Sequence, residues 1–337
     1  MANLRQFTAN AMKNTINRPV RLVIALAALA GSLALQAQTF PARPVRLVVP
    51  FAPGGSSDGI ARVVVQKLSE GLGQPVVIEN RPGVGGLLGS EFVARAAPDG
   101  YTLLLASVSS FTVAPHLYAS PKLDPTRSFD AIAPISSSPL TVIVKSALPV
   151  TTIADLVALA KAKPGALNYG SAGVGTQVHL AAELFKSLAG IDVVHVPFQG
   201  GAPTMTALLG GVIDYKFDVA NTTVQQARAG RVKVLAVTSA RRIPVLPEVP
   251  TLAESGFPGF DVTAWMGIVG PAGLQAGIVS RLNAEIGKAV SSQELAETYA
   301  SQGTVPELAS PSAFAEMIRR EYAKWGAVIK QVGVKAD

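Results

Sequence analysis

Gly55-Ser56-Ser57-Asp58-Gly59 satisfies G-x-S-x-G, the pattern of a serine nucleophile on a strand-to-helix turn. His179 or His195 and several aspartates follow in the order a hydrolase needs, so a secreted esterase using Ser57 is one reading. Its placement is poor. A nucleophile elbow follows earlier strands, one of which ends in the oxyanion loop. Here the apolar run before it, Val45–Val49, is the first strand candidate beyond residue 37, and Phe51 to Gly55 separates that run from the serines. The same stretch supports different chemistry. Pro50-Phe51-Ala52-Pro53-Gly54-Gly55-Ser56-Ser57-Asp58 is a glycine-rich loop between an apolar run and a helical pattern. A second, Tyr169-Gly170-Ser171-Ala172-Gly173-Val174-Gly175-Thr176, stands about 115 positions further on. Such junctions gather free backbone N–H groups at a helix N-terminus, where an anion can sit. Neither loop holds Lys or Arg, so peptide dipoles and hydroxyls would do the holding.

Other chemical candidates are weaker. Gly83-Val84-Gly85-Gly86-Leu87-Leu88-Gly89 has G-x-G-x-x-x-G spacing rather than the dinucleotide fingerprint, and reads as a turn opening a short helix. His116, His179 and His195 are the only histidines and none pairs with another at ligand spacing, so no metal or cofactor is expected. His116 reads as a loop residue and His195 as a strand histidine, whereas His179 falls in the first turn after the second glycine loop, within reach of a ligand. Asp58 has two readings, a cap for the helix start or a ligand contact that would repel a carboxylate.

The elements that must hold these loops alternate. Strands are expected at Val45–Val49, Val76–Ile78, Tyr101–Ala106, Leu167–Tyr169, Val193–Val196, Tyr215–Val219 and Val232–Val237. Helical stretches lie between them, which implies βαβ units and a mostly parallel sheet. Ile60, Val63, Val64 and Leu68 mark a helix closed by Gly71 and Gly73. Thr152 with Asp155 forms a capping box for a helix over 153–163. The tail is helical. Ser310-Pro311 caps a stripe of Phe314, Ile318, Tyr322, Trp325 and Ile329 that should dock on the core. Two extended connections, through Ile132–Ser136 to Leu140–Val144 and through Val262–Ile268, would join two halves and form a hinge. Domain 1 is then 38–138 plus 263–337, and domain 2, inserted, is 139–262.

The 337 residues are 49% hydrophobic and 15% charged, ample for two cores and too apolar for a disordered chain. Arg5, Lys13, Arg18 and Arg21 precede an apolar run from Leu22 to Leu35 and a small residue, Ala37, which reads as a secretory signal peptide over 1–37. That run is short for a membrane span. Without the leader the formal charge falls from +7 to +3 (25 Lys+Arg against 22 Asp+Glu). No basic cluster interleaved with aromatics marks a nucleic-acid surface. The absence of cysteine excludes disulfides, thiolate metal sites and a lipid-modified cysteine, and suits an exported bacterial protein.

Several runs in order resemble the Bug receptors, the substrate-binding proteins of tripartite tricarboxylate transporters. They are Pro50–Asp58 with Arg62, Glu79-Asn80-Arg81-Pro82-Gly83, Pro98-Asp99-Gly100-Tyr101-Thr102-Leu103, Leu167–Gly173 with His179-Leu180, His195-Val196-Pro197-Phe198-Gln199-Gly200, Leu208-Leu209-Gly210-Gly211 and Val249–Glu254. The resemblance implies two doubly wound α/β domains around a cleft, the type II, Venus-flytrap form of a periplasmic binding protein. It implies a non-enzymatic, monomeric receptor for a small carboxylate, such as a di- or tricarboxylate, an acidic amino acid or an aromatic acid. The partners implied are the membrane subunits of the transporter; a sensor presenting ligand to a membrane kinase is the other reading. Carried onto this chain, the ligand residues are Ala52, Gly54, Gly55, Ser56 and Asp58 from the first loop and Ser171, Gly173, Val174, Gly175 and Thr176 from the second. His179 stands behind them, with Phe198 and Gly200 lining the cleft. Phe198 departs from the family's frequent Tyr, removing a hydroxyl.

Overall fold

Residues 40–118 and 123–335 are described by a computed structural model. The signal peptide read at 1–37 lies outside the described residues. Everything below concerns the unit that begins at Arg43. No helix among the described residues is long and apolar enough to cross a membrane.

The apolar run Val45–Val49 is a strand, β1, buried except at Arg46. It pairs in parallel with β2 (Val76–Asn80) and β3 (Thr102–Ser107). The helix α1 (Ser56–Leu72) joins β1 to β2 and ends on Gly73, whose φ of 66° is the left-handed cap that glycine supplies without a Cβ clash. α2 (Leu87–Ala94) joins β2 to β3. After β3 the chain makes a wide helical turn over Val108–Val113. The sequence hides that turn because Val108, Ser110, Phe111, Thr112 and Val113 are all buried, so no amphipathic period marks it.

β4 (Phe129–Lys145) is long and serves two neighbourhoods. Its first part, Phe129–Pro139, runs antiparallel to β9 (Thr263–Pro271), which also pairs with β3. The register slips past Ile132 and Ile135, flanking Pro134, which has no N–H to give a ladder. Its last part, Leu140–Lys145, pairs with β7 (Tyr215–Val219) and β8 (Val232–Val237). Beyond β7 lie β5 (Asn168–Ser171) and β6 (Val194–Pro197), parallel to each other. The resulting strand order is β2-β1-β3-β9-β4-β7-β5-β6. The helices of this half are α3 (Ile153–Ala162), α4 (Gln177–Ala189), α5 (Gly201–Leu209) and α6 (Ala220–Arg228). The capping box expected at Thr152 and Asp155 is present in both directions.

The chain then returns through β9 to α7 (Ala276–Val290), α8 (Gln293–Ser301) and α9 (Pro311–Val332). Phe314, Ile318, Trp325 and Ile329 are buried as their spacing predicts, each contributing about 1.5–3 kcal/mol of apolar burial. Tyr322 is half-buried and stacks on His116 with centroids 3.9 Å apart. His116 is therefore tied to the tail helix, its Nε2 lying 2.8 Å from the Tyr322 carbonyl.

Candidate functional site

The first glycine loop follows the C-terminal end of β1. Gly54 turns it with φ of 82°, and Gly55, the N-cap of α1, offers no side-chain oxygen to the first-turn amides. Asp58 does not face that opening. It is 3% exposed; Oδ2 accepts from the Gly54 N–H at 3.1 Å and from Arg62 Nε at 2.9 Å, and Oδ1 accepts from Asn80 Nδ2 at 3.1 Å. Asn80 also donates to the Phe51 carbonyl at 3.0 Å. Burial pushes this carboxyl up, but the bonds from Arg62, Gly54 and Asn80 outweigh it and hold the group below the ordinary carboxylate range. Asp58 ties the loop to α1 and β2.

The second loop follows β5 and is braced from within. Ser171 Oγ accepts from the Gly173 N–H at 3.2 Å, the Gly173 carbonyl from the Thr176 N–H at 3.3 Å, and His179 Nδ1 from the Gly175 N–H at 3.2 Å. Gln177 N–H, opening α4, donates to Ser109 Oγ at 2.9 Å. Those amides are committed within the fold, so this loop presents fewer free donors than its glycine content suggests. His179 accepts on Nδ1 and therefore carries its proton on Nε2. It stacks on His195 at 4.0 Å, and His195 on Tyr169 at 4.8 Å. His195 Nε2 lies 2.7 Å from Ser171 Oγ. Burial, helped by the neighbouring His195 and Lys186, drives His179 down to about 3; burial drives His195 down to about 4, with Glu183 opposing and Lys186 assisting. Both rings are thus neutral props behind the loop.

A cavity of about 110 Å³ opens beside Ala52, Ser56, Thr176, Gly200 and Trp265. A second, of about 360 Å³, adjoins it through Ala52, Thr176 and Gly200 and is bordered by Val84, Tyr118 and Phe198. Four helix starts converge on the first: the N-caps Gly55 of α1, Thr176 of α4, Gly200 of α5 and Val219 of α6 all line it. None of the four donates a side-chain cap to its helix. The positive ends of four helix dipoles therefore meet one small volume, the arrangement that favours a bound anion. Ser56 Oγ donates to Asn221 Oδ1 at 2.8 Å, linking the first loop to α6 across this space.

Of the residues expected at the site, Ala52, Gly55, Ser56, Thr176 and Gly200 line the first cavity, and Gly173, Val174 and Phe198 line the second. Gly54, Asp58, Ser171, Gly175 and His179 line neither and instead shape the loops. Three further contributors were not read from the sequence. The N-terminus of α6 was hidden because valine at a helix start carries no capping signature, whereas Gly200, the N-cap of α5, was expected only as a residue lining the cleft. Trp265 and Met266 enter from β9. The third is a buried ion pair on β7, where Lys216 Nζ lies 3.2 Å from Asp218 Oδ1 with side chains 1% and 7% exposed. In Tyr215-Lys216-Phe217-Asp218-Val219 the alternation of charge with apolar residues was the available signal. It reads as a solvated strand face, and in the fold the cavity stands where solvent would. Ser57 also lines the cavity, but the described bonds of His116, His179 and His195 go elsewhere, so no histidine is paired with it among the described residues.

Strand order and the long shared strand define the class: a two-lobed α/β fold of the periplasmic-binding-protein type. Residues 60–334 match the family described as the tripartite tricarboxylate transporter family receptor. The protein BugT of Bordetella pertussis is 36% identical over 319 residues, covering 94% of this chain and 97% of BugT. The structure of the periplasmic binding protein BugD superimposes with a TM-score of 0.84 at 35% identity, over 88% of this chain and 100% of that one. R. palustris Rpa4515 with adipate gives 0.85 at 34% identity, over 88% and 99%. The chain belongs to the tripartite tricarboxylate transporter receptors, the family of the Bug proteins.

Proposed function

We propose that this chain is a periplasmic receptor that captures a small carboxylate at the four converging helix starts and delivers it to the membrane subunits of a tripartite tricarboxylate-type transporter. One observation carries the reading: Gly55, Thr176, Gly200 and Val219, each an N-cap without a side-chain cap, line the same cavity. The adipate held by Rpa4515 supports the ligand class. Hydrogen bonds to a charged group net about 1.5–3 kcal/mol each. Four to six of them offset the lost freedom of the ligand and still allow about micromolar affinity.

The domain division goes with it: 38–138 plus 263–337 as one lobe, 139–262 as the other, with β4 and the segment entering β9 as the hinge. Thr238 stitches the two crossings, its Oγ1 accepting from the Leu140 N–H at 2.8 Å and its carbonyl from the Val262 N–H at 3.0 Å. A ligand touching both lobes selects the closed form. The test is a melting-temperature screen of residues 38–337 against small mono-, di- and tricarboxylates and their fully amidated counterparts. At least one acid raises the melting temperature and its amidated counterpart does not. Equal shifts from acid and amide, or none from any acid, contradict the proposal.

A further inference from the structure

The first residue of α4, Gln177, has a consequence for which acid is taken. It is 3% exposed and lines the first cavity. Two of its polar groups are committed: the main-chain N–H donates to Ser109 Oγ at 2.9 Å, and Nε2 donates to the Thr263 carbonyl at 2.8 Å. A carbonyl only accepts, so the amide nitrogen must face Thr263 and the amide oxygen is held on the other side of the group. That oxygen, Oε1, accepts from nothing among the described residues. It is not sealed off, as the unpartnered Trp265 Nε1 is, so it opens onto the cavity that its side chain lines. Gln199 lines the same cavity, but it is exposed and no bond fixes its amide among the described residues. The buried lining thus holds an oriented amide acceptor next to Thr176, one of the helix starts of the anion seat.

Resting on the carboxylate-receptor reading, we infer that Gln177 Oε1 accepts a hydrogen bond from a hydroxyl that the ligand carries close to its carboxylate, so that the ligand class is a hydroxycarboxylate. The acceptor stands beside the seat, because Thr176 directly precedes it, and the group it reads is therefore a near neighbour of the carboxylate. An amide oxygen takes a hydrogen bond from a hydroxyl or from an ammonium. The positive ends of four helix dipoles face this space and disfavour a cation, and Asp218, the one acid in the lining, is already paired with Lys216. That leaves the hydroxyl. An acid without a donor leaves Oε1 to water, so the preference equals the net value of one neutral hydrogen bond, about fivefold or more.

The test is isothermal titration at pH 7 with matched acids: succinate, malate, methoxysuccinate and aspartate, then glutarate and butyrate with their hydroxy, methoxy and amino derivatives at carbon 2 and carbon 3. The wild-type protein binds the best hydroxy acid about fivefold or more tighter than its unsubstituted, methoxy and amino counterparts. The methoxy acid keeps the oxygen but has no proton to give. Gln177→Met removes the acceptor and keeps the length of the side chain, so the hydroxy acid falls to the level of the unsubstituted one. A purely structural role for Gln177 would weaken both acids alike and keep their ratio. If acids bind but the hydroxyl brings no advantage in the wild type, a methoxy or amino acid matches it, or folded Gln177→Met keeps the ratio, the hydroxyl assignment is overturned while the receptor reading stands. The same holds if the carboxylate screen yields a ligand and none of these hydroxy acids binds. If no acid binds in the screen or here, the receptor reading falls and takes the hydroxyl assignment with it. Should Gln177→Met fail to fold, the wild-type ratio of hydroxy to methoxy acid decides alone.

Discussion

Replacing Asp58 by Ala separates loop positioning from ligand contact. The carboxylate accepts three bonds, from Gly54 N–H, Arg62 Nε and Asn80 Nδ2, while 3% exposed. The Arg62 side chain is 60% exposed and returns to water, so its share is small. The Gly54 amide and Asn80 lose a charged acceptor in a part-buried setting, which costs about 1–3 kcal/mol together because Asn80 keeps its bond to the Phe51 carbonyl. The loss is about 1–3 kcal/mol, or a fall in Tm of roughly 2–6 °C at about 2 °C per kcal/mol for a chain of this size. Affinity falls about tenfold or more, because the uncapped amides at Ser56 and Ser57 are no longer held in place. Asp58→Asn, which keeps one acceptor, lies between. The assay is thermal melting with calorimetric titration of the best acid from the screen. Asp58→Ala melting within 1 °C of the parent and binding within about twofold refutes the argument that this residue builds the loop. Stability kept while affinity vanishes makes it a direct contact instead.

Acidification acts through the stacked histidines. His179 and His195 stay neutral down to about 3 and about 4, whereas in the unfolded chain they take up protons near 6.5. Their contribution is complete above about pH 6.5 and is lost as pH falls toward their folded values, at about 1.4 kcal/mol per pH unit for each proton. Urea unfolding between pH 6 and 5 should show a slope of between one and two protons, with His195 contributing less because it is only partly buried. His179→Gln should remove about one of them, and a flat profile contradicts the assignment. Gly175→Val probes the second loop. The position has φ of 73°, and a Cβ there meets Leu117 Cδ1 at 2.5 Å. Left-handed strain alone costs about 1–2 kcal/mol, so the variant should melt at least 3 °C lower and bind its acid weakly, and wild-type binding by a folded variant counts against the loop's role.

Much of the architecture was legible because buried strands announce themselves. Tyr215–Val219 and Val232–Val237 fall where the apolar runs place them, and Thr152 with Asp155 marks α3 through capping chemistry. The two glycine loops were legible as helix origins. Their internal wiring was not. That the Gly173 and Gly175 amides are satisfied within the loop depends on Ser171 and His179 side-chain directions, which spacing does not encode. Asp58 was weighed as a cap or a contact; the structure makes it an acceptor for the amide of Gly54, because Asn80 from β2 approaches on its other side. Lys216 and Asp218 were passed over for a different reason. A charged pair on alternate strand positions looks the same whether it faces water or a cavity, and only the pairing of β7 with β4 and β5 decides which.

The most direct measurement is a crystal structure of residues 38–337 with the best acid from the screen. The account predicts one carboxylate within hydrogen-bond distance of backbone N–H groups at the starts of α1, α5 or α6, with no guanidinium or ammonium group as its principal partner. An acid bound outside this cavity, or one whose carboxylate is held chiefly by Lys216 or another cationic side chain, contradicts it.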